Sequence, residues 1–227
     1  MPKVGMEPIR REQIRRAAAK VISKRGFDRT TLADVAKAAK VSTGMINHYY
    51  KNKIALLVDT LLYVSEWFQT AIRAEVEAET TGEGKLRALT RIGPFDTKGM
   101  PYVGSRIWAW AMAESMQSKE LRQVIQERRR LFEEMIAEVL AFIRPDIDPQ
   151  HAKALAAELD AYVNGLCIHT VTGAENLDKA SVERSFLQAV AAGLGLAVRD
   201  GQLVRRSGEN STAATAMRDR RKRAVAH

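Results

Sequence analysis

The sequence predicts an all-α protein with a small basic head and a larger acidic body, and three observations predict it. Only 6 prolines and 14 glycines fall among 227 residues, while Ala, Leu, Arg, Glu and Lys dominate, so summed propensity favours helix. Apolar residues recur at helical spacing between the Gly and Pro breaks. The charge is also divided: residues 1–53 carry 13 Lys/Arg against 4 Asp/Glu, residues 54–198 carry 15 against 20, and residues 199–227 carry 8 against 3. A basic head on an acidic body points to a head that meets a polyanion.

The elements follow in order. Pro8 suits the first turn of a helix whose inner side is Ile14, Ala17, Ala18, Val21 and Ile22, ending at Gly26. Arg10 and Arg11 are placed just ahead of it, as part of a flexible arm. Thr31 caps a second helix, with Asp34 completing a short capping box and Leu32, Val35, Ala36 and Ala39 inside. Lys40-Val41 makes a tight turn, Ser42 caps a third helix, and Asn52 opens a long fourth one that runs to "TTGEG" at 80–84. Further helices are expected at 84–93, 102–116, 118–143, 149–173 and 178–199, punctuated by "GPFDTKGMP" (93–101) and "RPDIDP" (144–149). The division is 1–53 as head, 54–204 as body and 205–227 as a basic, disordered tail.

Several function classes are set aside. The single Cys167 allows no internal disulfide, and His48, His151, His169 and His227 never fall in ligand-like pairs. No Gly-rich phosphate loop or nucleophile motif is present, so no enzyme, cofactor or metal is expected. No apolar segment follows the basic N-terminal residues as a signal peptide would require. The run "AVAAGLGLAV" (189–198) is too short to span a bilayer. A soluble, cytoplasmic protein is expected.

The stretch "VSTGMINHYYKNK" (41–53) carries the chemistry. Two short helices joined by a tight turn, the second presenting polar side chains, make a helix-turn-helix, whose second helix enters the DNA major groove. Val41, Ile46 and Tyr50 would face inward. Ser42 caps the helix, Gly44 lets the backbone approach the duplex, and Thr43, Met45 and Asn47 can reach base edges. His48, Tyr49 and Lys53 suit phosphates, as do Thr30, Thr31 and the second helix's N-terminus. Arg10 and Arg11 would add charge. A nonspecific nucleic-acid binder using "RDRRKR" in the tail is the rival reading.

The segment "TTLADVAKAAKVSTGMINHYYKNKIALL" resembles the DNA-binding head of TetR-type repressors, over residues 8–57. "MPKVGMEPIRR" and "NHYY" resemble more narrowly the BetI-type, choline-responsive subfamily, and "FD" at 95–96, Trp108 and "LDAYVNGL" (159–166) continue the likeness into the body. The resemblance implies a repressor that binds a near-palindromic DNA operator as a homodimer and is relieved by a small-molecule effector, choline or another quaternary amine. A repressor of this fold answering to a different small ligand stays open beside it.

On that reading Ala152, Leu155, Ala156, Leu159, Val163 and Leu166, with Phe186, Val190, Gly193, Leu194 and Ala197, would form a dimer interface, or else an ordinary core within one subunit. A quaternary ammonium would rest on aromatic faces. Trp67 and Trp108 are candidates, Trp108 sharing its helix face with Met112, whereas Trp110 points roughly 200° away from Trp108. Asp96, Tyr102, Asp160 and Asn164 are further candidates. Plain core packing is the alternative for each tryptophan. The fourth helix, running from Lys53 to Trp67 and Phe68, would connect the two sites.

Overall fold

The computed structural model describes residues 7–91, 98–173 and 178–205. Among them are nine helices and one two-stranded hairpin.

The head is α1 (Glu7–Arg25), α2 (Leu32–Ala39) and α3 (Thr43–Tyr49). α1 begins at Glu7, so Arg10 and Arg11 lie within it rather than on an arm ahead of it. The capping box at α2 forms as expected, with Thr31 and Asp34 exchanging side-chain and backbone hydrogen bonds. Lys40 ends α2 in the left-handed conformation (φ 54°), and Ser42 accepts from the Met45 N–H to start α3. That leaves a turn of a few residues, which sets the two helices at a fixed angle. Asn52 then caps α4 (Lys53–Ala78) through the Ala55 N–H.

The body follows as α5 (Gly82–Arg91), α6 (Gly99–Ser115), α7 (Lys119–Ile143), α8 (Pro149–Thr172) and α9 (Lys179–Gly193). Two apolar clusters hold the molecule together. One joins Ile14, Ile22, Val35 and Ile46 of the head to Leu57 of α4, Ile107 of α6 and Leu121 of α7. The other packs Leu86, Ile136, Leu140, Ala156, Phe186 and Val190 at the far end of the body. α4 contributes to both, Leu56, Leu57 and Leu61 to the first and Ile72 and Val76 to the second.

Two expectations are corrected here. The last helix does not reach residue 199: it stops at Gly193, Gly195 takes a positive φ of 68°, and β1 (Leu196–Arg199) pairs antiparallel with β2 (Gln202–Arg205). Asp200 and Gly201 sit at φ 50° and 75°, the left-handed pair that a two-residue hairpin turn needs. Arg205 therefore ends a strand, and the expected tail from 206 onward lies outside the described residues. The second correction concerns the α8 and α9 stripe. Ala152, Leu155, Ala156, Leu159, Val163, Leu166, Phe186, Val190 and Leu194 are all buried within the one chain, so they are core and unavailable to a partner.

Candidate nucleic-acid interface and effector cavity

α3 divides as its sequence predicts. Ile46 and Tyr50 are buried, Val41 is half-buried against them, and Ser42, Thr43, Gly44, Asn47 and His48 are exposed. Met45 and Tyr49 are half-buried, and the His48 and Tyr49 rings meet edge-on at 5.4 Å. A Cβ built on Gly44 would touch only the Ser42 hydroxyl, at 3.8 Å. No described residue is close enough to require glycine there.

The surrounding candidates fare unevenly. Thr30 is 2% exposed and its hydroxyl donates to the Gly26 carbonyl at 2.7 Å, so it is closed to a phosphate. The Thr31 hydroxyl and N–H both bond Asp34. Those bonds from Thr31, with Arg25 nearby, hold the Asp34 carboxyl below its ordinary range. Lys53 turns inward, donating to the Asp28 carbonyl at 2.9 Å and lying 4.3 Å from the Phe27 ring centre. Arg10 bonds Gln13. Arg11 forks onto both oxygens of buried Asp59, at 3.0 and 3.1 Å. Tyr50 donates to the same carboxylate at 2.6 Å, and burial followed by that hydrogen bond pushes its phenol well above the ordinary tyrosine range. Lys37, Lys40 and Lys51, which sequence reasoning passed over, are the exposed cations flanking α3. Their position beside a capped turn was the available signal.

A cavity of about 120 Å³ opens between α4, α6, α7 and α8. Phe68, Trp108 and Phe132 supply aromatic wall, and Ser105, Arg128, Arg129, Asp160 and Asn164 supply polar atoms. An apolar cavity only slightly larger, about 150 Å³, holds benzene. Trp108 Nε1–H donates to Asn164 Oδ1 at 2.6 Å. The Asn164 amide nitrogen in turn donates to Asp160 Oδ1 at 2.8 Å, and Arg129 Nε donates to Asp160 Oδ2 at 2.8 Å. Asp160 is 2% exposed, and burial raises its carboxyl above the ordinary value despite the arginine. The Ser105 hydroxyl and Arg128 Nε are buried without a hydrogen-bond partner. α4 and α6 touch closely beside the cavity: a Cβ on Gly104 would lie 2.1 Å from the Phe68 ring.

Of the expected effector residues, Trp108, Asp160 and Asn164 meet in this cavity and three do not. Trp67 is turned to the surface, edge-on to Phe68. Tyr102 accepts a hydrogen bond from Arg106, and Met112 packs into the head-side core. Asp96 lies outside the described residues. Trp110 points the other way from Trp108, as the helical angle requires. Its indole covers Gly26, where a Cβ would come within 2.7 Å of it. Ser105, Arg128, Arg129 and Phe132 were missed. Arg128 did have a signal, since it interrupts the apolar stripe Leu121, Ile125, Phe132, Met135, Val139 along one face of α7.

The chain matches the family model for bacterial regulatory proteins of the tetR family at residues 14–60, and that for the C-terminal part of BetI-type transcriptional repressors at residues 102–195. It is 31% identical over 199 residues to the HTH-type transcriptional regulator BetI of Cronobacter sakazakii, covering 85% of this chain and 96% of that one. It is 29% identical over 182 residues to BetI of Yersinia pestis, covering 79% and 89%. Among solved structures, a transcriptional regulator from a Rhodococcus species superposes with a TM-score of 0.68 at 21% identity, over 82% of this chain and 94% of that one. A regulator from Saccharomonospora viridis, solved in complex with choline, gives 0.68 at 21% identity over 78% and 92%.

Proposed function

The chain belongs to the tetR family of bacterial regulatory proteins with a BetI-type C-terminal part, and on that premise we propose that it represses genes of choline and glycine-betaine metabolism until a small molecule enters the cavity. α3 is the recognition helix. Thr43, Met45 and Asn47 read base edges, and His48, Tyr49, Lys40 and Lys51 meet phosphates. Two copies bind the two half-sites of a near-palindrome, one helical turn or a multiple apart. The copies pair through the exposed faces of α8 (Ala154, Ala161, Gly165) and α9 (Ser185, Ala189, Ala192), whose small side chains permit close helix approach.

The observation that carries this reading is the course of α4. It starts beyond α3 after only three intervening residues, 50–52, and supplies Val64, Phe68 and Ile72 to the cavity wall. Lys53 and Phe68 are about 22 Å apart along it, at 1.5 Å per residue. α6 makes a second connection: it carries Trp108 and also accepts the end of α1, where Arg106 Nε donates to the Ser23 carbonyl at 2.5 Å and Trp110 covers Gly26. A ligand that fits better when these helices are tilted moves the recognition helices off groove spacing, with a coupling of about 1–3 kcal/mol. A quaternary amine such as choline is supported by the BetI relatives and by the aromatic faces of Phe68, Trp108 and Phe132. Footprinting on the DNA upstream of the protein's own gene, at fixed salt with and without choline, tests it. A footprint that choline does not weaken keeps the repressor and removes choline, and the absence of any footprint removes the repressor.

A further inference from the structure

We propose that the molecule this cavity takes carries a carboxylate, seated on Arg128, with a compact apolar or trimethylammonium end against Trp108 and the neighbouring phenylalanines. The proposal rests on the cavity being the effector site and names the charge its ligand needs.

The argument is one of charge and of unmade hydrogen bonds. Three ionisable side chains carry charge in the wall: Arg128, Arg129 and Asp160. Asp160 is already fully engaged, one oxygen by Arg129 and the other by Asn164. It is the single carboxylate among the described lining residues, so an entering cation meets aromatic faces but no free carboxylate. Arg128 makes no ion pair or side-chain hydrogen bond with any described residue, and its Nε is buried. Arg129 also pairs with Glu133 at 3.5 Å, just outside the wall, so both nearby carboxylates are held by Arg129 and Arg128 is the lining cation left without one. A guanidinium stays protonated at any relevant pH. Arg128 is half-buried with its Nε closed off, and a carboxylate in the cavity gives its guanidinium a charge-assisted partner that the protein does not supply. Ser105, which lies beside the Cys167 thiol in the same wall, brings a hydroxyl hydrogen for a second oxygen.

Four probes of nearly one shape separate head charge from tail charge: choline, trimethylglycine, neohexyl alcohol and tert-butylacetic acid. The first and third end in a hydroxymethyl group, the second and fourth in a carboxylate. Calorimetry on the full chain should show each carboxylate binding at least about tenfold tighter than the alcohol with the same head, the size expected of a hydrogen bond to a charged group. Arg128→Met should erase that difference, and Arg128→Lys should restore part of it, with circular dichroism checking that both variants fold. Choline binding as tightly as trimethylglycine overturns the proposal. So does a carboxylate preference that survives in Arg128→Met, or silence from all four probes at millimolar concentration. Failure of the effector-site reading looks different: the carboxylates bind through Arg128, yet the footprint does not change.

Discussion

Tyr50, the residue that caps the end of α3, donates its phenolic hydrogen at 2.6 Å to Asp59, one turn and a half into α4. Arg11 of α1 grips the same carboxylate, so α1 and the end of α3 are both tied to α4 through one buried acid. Tyr50→Phe removes one of these bonds and keeps the ring. It should cost about 1 kcal/mol in urea denaturation. The pH dependence has a definite sign. Tyr50 is raised in the folded state, so its contribution is complete below about pH 10, where an unfolded tyrosine ionises, and is lost as pH rises further. The gap between the native protein and Tyr50→Phe should therefore change only on the alkaline side. A gap that changes between neutral pH and pH 5 would contradict this.

On the DNA face, Asn47→Ala and Lys51→Ala should behave differently. The first should cost about 1–3 kcal/mol on the operator and relax preference at one base position. The second should weaken binding evenly across sequences and lower the salt slope by about 1. Titrations against operator and scrambled duplexes at several salt concentrations separate them. Thr30→Val, by contrast, should leave the salt slope alone and act only on stability, because that hydroxyl never leaves the interior.

Gly26→Ala should be disproportionately damaging for a single methyl. The residue sits at φ +84°, where an L side chain costs about 1–2 kcal/mol, and the added carbon meets the Trp110 indole at 2.7 Å. Melting of the variant should show a loss beyond the backbone term alone. Pairing it with Trp110→Leu should recover the steric part and leave the backbone part.

For the assembly, Ala161→Arg or Gly165→Glu on the outer face of α8 should yield monomers by sedimentation equilibrium. Far-ultraviolet circular dichroism should remain helical, since neither position touches the core. Operator affinity should collapse with the dimer. Leu159→Ala, on the inner face, should instead destabilise the fold by about 2–5 kcal/mol and act on pairing only through that loss. A stable, dimeric Ala161→Arg protein would move the pairing surface elsewhere.

How far the sequence could be read depended on whether the information was local. Thr31 with Asp34, and Ser42 and Asn52 ahead of their helices, are short-range chemistry, and each cap forms as read. The inner and outer faces of α3 were equally local. The hairpin after Gly195 was announced by Asp200-Gly201, but the apolar run before it has helical and strand readings of equal weight, and the helix was extended through it. Residues that bond across the fold were the hard ones. Nothing near Lys53 in sequence says that Phe27 lies under it, and nothing near Arg11 foretells Asp59. The α8 stripe was seen correctly as a stripe, yet periodicity does not say which neighbour covers it. Asp160 and Asn164, a turn apart on that helix, were recognisable as a polar pair, whereas Arg129 and Trp108 reach them from other helices.

The contact between Phe68 and Gly104 has a mechanical consequence. With no atom on Gly104 beyond its backbone, the Phe68 ring already rests against the main chain of α6, and close-packed interiors compress little. The ring is thus a stop rather than a spring. On the proposed reading, a molecule that presses on it would gain no room by bending a side chain and would lever α4 bodily, turning bulk in the cavity into displacement of a rod whose other end adjoins α3.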